Sequence, residues 1–390
     1  MKIGIFTELY PPHIGGQEVR YAELAASMLQ LGHTVDVYCI RHSADVPEHE
    51  MASGVSVFRY PLAENYKKPW IKPLKRAAIP LLRYSLWVRQ KAKPGKYDLM
   101  LFNQWPLAHI ILARREVRAK TVLDWCEVRN GWLDRMFMKW LPKLSKRNIA
   151  VSDAVARAVA TMSGRHVECI PSGVWLSKYR CESKERRSGL VYLGRVTEHK
   201  NLGLLIEAFE LMKDAGYPGE LTIAGTGPAV KALTMAAKCS RFSKSVHLLG
   251  FVDDSTKIAL LSRSEALVIS SRREGFPRIV AEAMASGLPV TTVDFPENGT
   301  KTIVQDYGIG MVSHPTATAL ALTIADVLRN WDAHSVRCLR HSRELDWPIL
   351  VDKLLTSKMD SIDGISVPSG SGINGRVCNV RTPNAASSLG

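Results

Sequence analysis

Glu274 and Glu282 stand eight positions apart in SSRREGFPRIVAEAMASGLP, residues 270–289. Eight residues of helix span about two turns, ~12 Å. Two carboxylates that far apart cannot share a proton or a metal ion as a dyad. They can hold opposite ends of one elongated ligand. A pair of cations lies upstream, Arg195 after Gly194, and Lys200 before Asn201. An arginine presents a planar fork and a lysine a point charge, and both suit the oxygens of an anionic ligand. The helix start that follows Gly275 adds backbone N–H donors for an anion. Ordinary surface charges and a solvated helix face are the bland alternative for all four side chains.

These residues need elements to position them. Ala266 to Ile269 is a short apolar run that reads as a buried strand. The chain turns through Arg272, Arg273, Glu274 and Gly275. Pro277 falls in the first turn of a helix, where proline is tolerated. That helix runs to about Ser286 and stops at Gly287, with Pro289 beyond. A strand at Leu190–Leu193 leads into Gly194–Arg195, and a helix follows Lys200–Asn201. The N-terminal half repeats the plan. MKIGIF is a strand, LYPPHIGG is a loop, and apolar residues from Val19 to Leu29 recur at helical spacing. Strands follow at Thr34–Ile40, Tyr97–Asn103, Thr121–Trp125 and Arg147–Ser152. A helix is expected over Pro106–Arg115. The second half adds strands at Leu221–Ala224, Val246–Val252 and Val290–Val293. Alternating β and α elements imply a parallel sheet with ligands at its carboxyl edge. Two such halves imply a site between them.

The run E-G-F-P-x-x-x-x-E-A-M-A-x-G-L-P-V, beginning at Glu274, resembles the E-x7-E signature of retaining glycosyltransferases of the GT-B fold, family 4. The resemblance extends to Gly15–Gly16, to Leu193–Gly194–Arg195 with Lys200–Asn201, and to the region of Trp347, and so covers roughly residues 1–357. It implies an α/β chain of GT-B type, with two Rossmann-like parallel-sheet domains facing each other across a cleft. The expected division is an acceptor-binding domain over 1–175, a linker over 176–189 and a nucleotide-sugar-binding domain over 190–340. A helix crossing back to the first domain follows over 341–361, and a disordered tail over 362–390.

The resemblance also implies residue roles. Gly15 and Gly16 let the backbone approach the acceptor and the donor diphosphate. Arg195 and Lys200 neutralise the leaving diphosphate. Glu274 contacts the transferred sugar, Glu282 accepts from the ribose hydroxyls, and Gly275, Phe276 and Pro277 complete the donor loop. Glu274, Arg195 and Lys200 are the expected catalytic set, with no metal. The implied donor is a UDP- or GDP-linked sugar, with no further cofactor. One departure stands out. Many relatives carry a histidine just after the strand that here ends at Trp125. The nearest match in this chain is Cys126, flanked by Asp124 and Glu127. The resemblance further implies retention at the anomeric carbon. Retaining glycosidases place two carboxylates about 5–5.5 Å apart. Glu274 and Glu282 are too distant for that, so a same-face displacement is expected. The leaving phosphate then takes the acceptor's proton.

Composition narrows the setting. The 390 residues carry a net charge of +15, of which residues 1–185 hold +12 from 29 Lys and Arg against 17 Asp and Glu. A partner of the first half is therefore anionic. Residues 65–97, NYKKPWIKPLKRAAIPLLRYSLWVRQKAKPGKY, contain ten cations and no acid, with Trp70, Tyr84 and Trp87 among Leu and Ile. That mixture fits an in-plane contact with anionic lipid along 67–96; a solvated cationic face over a core helix is the alternative. No nucleic-acid motif accompanies the charge. Seven cysteines show neither a CxxC pair nor zinc spacing, which suits a reducing cytoplasm. MKIGIFTELY passes straight into a strand, so no signal peptide is expected. No uncharged run approaches the ~18 residues of a spanning helix. The expectation is a peripheral enzyme at the inner membrane face, with a glycan or lipid-linked acceptor. A nucleotide-sugar epimerase of the same fold and a non-catalytic sugar-nucleotide-binding protein are the alternatives.

Overall fold

The computed structural model describes residues 1–13, 15–61, 78–128, 131–275 and 277–357. Phe276, the 62–77 part of the basic segment and the 362–390 tail lie outside the described residues.

The first half is built on an eight-stranded sheet. Its strands are β1 (Lys2–Phe6), β2 (Thr34–Ile40), β3 (His49–Ala52), β4 (Val55–Tyr60), β5 (Leu99–Asn103), β6 (Thr121–Trp125), β7 (Arg147–Ala150) and β8 (Glu168–Cys169). Their order is β3-β4-β2-β1-β5-β6-β7-β8, and only the β3–β4 pair is antiparallel. The helices of this half are α1 (Gly16–Gln30), α2 (Ala78–Lys91), α3 (Ala108–Leu112), α4 (Arg115–Arg118), α5 (Trp132–Trp140) and α6 (Asp153–Ser163). β5 and β6 read LMLFN and TVLDW and are buried along their whole length, as parallel strands covered on both faces must be.

The second half has six parallel strands in the order β11-β10-β9-β12-β14-β16. These are β9 (Leu190–Leu193), β10 (Leu221–Ala224), β11 (Val246–Gly250), β12 (Ala266–Ile269), β14 (Val290–Val293) and β16 (Gly310–Ser313). A separate two-stranded pair joins β13 (Arg273–Glu274) to β15 (Glu297–Asn298). Around them lie α7 (Leu202–Asp214), α8 (Val230–Cys239), α9 (Asp254–Arg263), α10 (Arg278–Ala285), α11 (Thr300–Tyr307), α12 (Ala317–Arg329) and α13 (Trp331–Ser342). The strand order reverses on either side of β1 and of β9, so each sheet has a switch point where a crevice opens at the carboxyl ends.

The last helix, α14 (Trp347–Thr356), packs on the first half. Trp347, Leu350, Val351 and Leu354 share one core with Ile3, Tyr21 and Leu24. The indole N–H of Trp347 donates to Glu23 Oε2 at 3.0 Å. Gly173 makes this packing possible, because a Cβ there would lie 2.7 Å from the Trp347 ring. Val174 then bonds Leu345 and Trp347 through its backbone at 2.9 and 3.1 Å.

Three local readings are corrected. The single helix expected over 106–115 is two short ones, α3 and α4, broken at Ala113–Arg114. Pro277 caps α10 rather than sitting within it. Tyr84 is a core residue, not a lipid-facing one, and Trp87 is half-buried against that core. The Tyr84 hydroxyl donates to Thr7 O at 2.6 Å, and Trp87 packs on Tyr38, Tyr60 and Tyr84.

Candidate active site

The two switch points face a common cleft. One cavity of about 1320 Å³ is lined by Cys126, Glu127 and Val128 of the first half and by His199, Arg273, Glu274, Gly275 and Gly299 of the second. A neighbouring cavity of about 920 Å³ is lined by Gly16, Gln17, Arg20 and Ser172 of the first half and by Glu274, Gly275 and Arg278 of the second. An apolar lobe from Ile79, Leu82, Ile111 and Phe137 completes it. Glu274 and Gly275 border both cavities, as do Cys126 and Glu127.

Glu274 sits in β13 just past the carboxyl end of β12. The ammonium of Lys200 donates to its Oε1, and the Ser271 hydroxyl donates to the same oxygen at 2.7 Å. Lys200 is brought there by the turn after β9, which is tied to the β12 loop twice. Ser270 Oγ donates to Lys200 O at 3.0 Å, and Arg272 N donates to His199 O at 2.7 Å. Two residues assigned separate ligand groups by the sequence are thus paired with one another. Arg195 lies on the same turn with its side chain exposed. His199 lines the larger cavity. Burial, then Lys200 and Arg273, push its imidazole below the usual range.

The Glu274 loop is braced from below by a segment that the sequence reading missed. Gly299 N donates to Glu274 O at 2.9 Å. The buried Asn298 side chain holds that turn, donating to Thr292 Oγ1 at 2.9 Å and Val293 O at 2.8 Å. E-N-G-T ahead of a helical run was a turn signal that could have marked it.

Glu282 is placed differently. It is buried in α10, and Lys257 Nζ lies 3.0 Å and Arg278 Nη2 3.6 Å from its Oε1. Its charge is compensated within the protein, and it lines neither of the two cavities. Arg195, Lys200, Gly15 and Pro277 also fall outside the two linings. A Cβ at Gly15 would meet only the carboxylate end of the Glu18 side chain, so packing does not by itself demand glycine there. Gly16, at the start of α1, borders the smaller cavity opposite Gly275.

Asp124 and Cys126 are now distinguishable. Asp124 is fully buried, receives Arg20 Nε at 3.1 Å and the Tyr21 hydroxyl at 2.9 Å, and does not reach the cleft. Cys126 does reach it. Its amide donates to Gln104 Oε1 at 2.7 Å, and burial pushes its thiol well above the usual range. The wall where relatives carry a histidine therefore presents a neutral thiol here, next to the Glu127 carboxylate.

The chain was compared with known proteins. A family profile described as Glycosyltransferase Family 4 matches residues 14–178, and one described as Glycosyl transferases group 1 matches residues 178–344. An uncharacterised glycosyltransferase of Methanocaldococcus jannaschii is 24% identical over 367 residues, 85% of this chain and 90% of that protein. The glycogen synthase of Mycobacterium tuberculosis is 24% identical over 384 residues, covering 89% and 92%. Among solved structures, HepE of Anabaena in complex with UDP and glucose superposes with a TM-score of 0.67 at 18% identity, covering 91% of this chain and 98% of HepE.

Proposed function

This chain belongs to glycosyltransferase family 4 and has the GT-B architecture; from that premise we propose that it moves a hexosyl group from a nucleotide-diphosphate sugar to a hydroxyl of a lipid-linked or glycan acceptor, with retention, at the cytoplasmic face of a membrane. The observation that carries this reading is the Glu274 carboxylate, held by Lys200 and Ser271 where the cavities of the two halves meet. The complex of HepE with UDP and glucose favours a uridine donor over a guanosine one.

The geometry suits a charge-compensated transfer. A donor diphosphate arriving beside Arg195 competes for the Lys200 ammonium. Lys200 and Arg195 then neutralise the charge that grows on the leaving phosphate. Glu274, released from Lys200 but still held by Ser271, accepts from the sugar hydroxyls. The acceptor enters from the side of Gly16 and the apolar lobe, which places its hydroxyl near the anomeric carbon. The bond from that carbon to the phosphate oxygen breaks, the bond to the acceptor oxygen forms on the same face, and the acceptor's proton passes to the leaving phosphate. Glu282, buried between Lys257 and Arg278, reaches the ribose only if the donor draws it out of that pairing. Among the described residues no helix is long and apolar enough to cross a membrane; the membrane contact is peripheral in this reading.

A thermal-shift panel of UDP, GDP and their sugars tests the donor, since a ligand that binds only the folded state raises Tm. A Tm rise with UDP-sugars followed by UDP release on adding acceptor is expected. Interconversion of sugar epimers without acceptor would instead mark an isomerase.

A further inference from the structure

The apolar cavity opens on a rim of three helices whose outer faces are unusual for a surface exposed to water. On α5, Trp132, Met136 and Trp140 recur every four residues and make one stripe. Trp132 is 74% exposed and Trp140 59%. On α2, Ile79, Leu82 and Leu86 are exposed, and on α3 so is Ile111. Ile79, Leu82 and Ile111 also line the cavity, so they form its mouth. Phe137 of α5 lines it from the other side. Large apolar residues left uncovered in such a group mark a contact surface.

The charges on the same elements have one sign. The exposed ones are Arg83 and Arg89 on α2, Arg135 and Lys139 on α5, and Lys143 just beyond. Asp134, the one acid on these helices, is half-buried and turns into the two cavities. Lys143 lies over the Trp140 ring at 5.1 Å, so a cation and an amphipathic ring are held together at the edge of the stripe. Tryptophan with lysine and arginine is the composition that settles at the headgroup level of an anionic bilayer.

We infer that the rim formed by α2, α3 and α5, with the Trp132–Met136–Trp140 stripe at its centre, is the surface that docks on an anionic lipid bilayer and seats the mouth of the apolar cavity against it. This rests on the membrane-side reading of the function and adds the surface itself. It moves the contact from the aromatic residues of the basic segment, of which Tyr84 is core and Trp87 half-buried, to α5. A lipid-linked acceptor then enters the cleft from the bilayer without crossing water.

Vesicle sedimentation tests it. With vesicles of equal parts phosphatidylglycerol and phosphatidylcholine, the full chain binds, and the double variant Trp132→Ala, Trp140→Ala binds about tenfold more weakly. Binding of both falls as salt rises. The Tm rise with UDP-sugar is the same in the variant and the parent, because neither tryptophan touches the donor cleft. Equal binding of the variant and the parent, or no binding of the parent, overturns the docking surface. Turnover of donor by a parent that does not bind vesicles would do so while leaving the glycosyltransferase reading intact. A parent that is a dimer by light scattering and becomes a monomer in the variant, without vesicle binding, would mean that the rim covers a second copy of the chain.

Discussion

Arg278 on α10 meets Glu23 on α1 at 2.8 Å, an ion pair that joins the two halves of the molecule. Arg278 also reaches Glu282 at 3.6 Å, and Glu23 also accepts from Trp347 at 3.0 Å. The first sheet, the returning C-terminal helix and the carboxylate assigned to the ribose are therefore linked through one guanidinium. Removing it leaves two largely buried carboxylates short of a partner. Arg278→Ala should cost about 1–3 kcal/mol of stability, and Glu23→Gln less. In a double-mutant cycle the two losses should be clearly less than additive, because each removes the same Arg278–Glu23 contact. Additive losses would mean that the contact contributes nothing.

Lys200→Ala and Arg195→Ala should each reduce turnover by ~2.7–4 kcal/mol of transition-state stabilisation, the scale of one lost oxyanion donor. Their effects on folding should differ. Lys200 is nearly buried against Glu274, so its loss lowers Tm. Arg195 is exposed, so its loss leaves Tm unchanged. Kinetics that move less than about twofold in both variants would remove the pair from the site.

Activity should survive excess EDTA. In the proposed reading Lys200 and Arg195 supply the positive charge that a divalent ion would otherwise bring to the diphosphate. Complete loss with EDTA, restored by magnesium or manganese, would show that a metal ion carries that charge.

Acidification should destabilise the fold through His109. Its ring is fully buried beside Phe102, its Nε2–H donates to Asn103 O at 2.8 Å, and burial pushes its pKa down to about 3. An unfolded histidine titrates near ~6.5. Between those values the unfolded chain binds a proton that the folded chain refuses. The stabilising contribution is complete above ~6.5 and is lost as pH falls through that window, at up to ~1.4 kcal/mol per pH unit. The imidazole NMR shifts of His109 should stay constant down to pH ~5 in the folded protein. A midpoint near the ordinary value would refute the assignment.

Much of the fold was readable because its signals are local. Leu190–Leu193, Leu221–Ala224 and Val290–Val293 are short β-branched or aliphatic runs between helical periods, and the strands occupy those same residues. The hairpin β3–β4 was missed because HEMA carries no apolar run and VSVFRY places Arg59 on the same buried face as Val55 and Val57. The α5 stripe was missed for a different reason. Trp132, Met136 and Trp140 at helical spacing look the same in sequence whether a neighbouring helix covers them or not. Tyr84 and Trp87 show the converse, since aromatics among cations can equally turn inward.

The sequence by itself determined the two α/β repeats, the glycine turns and the strand-to-helix loop that carries Glu274, because each depends on residues within one or two turns of chain. Tertiary structure alone decided who pairs with whom. Lys200 and Glu274 lie 74 positions apart and meet because β9 and β12 are neighbours in the sheet. Lys257 reaches Glu282 from α9, whereas Arg278 stands one turn before it on α10, and Arg278 meets Glu23 because the two halves close on one another. A charge in a sequence has no partner until the crossovers between strands bring one within a few ångströms, and the low dielectric around these buried groups is what makes that partner matter.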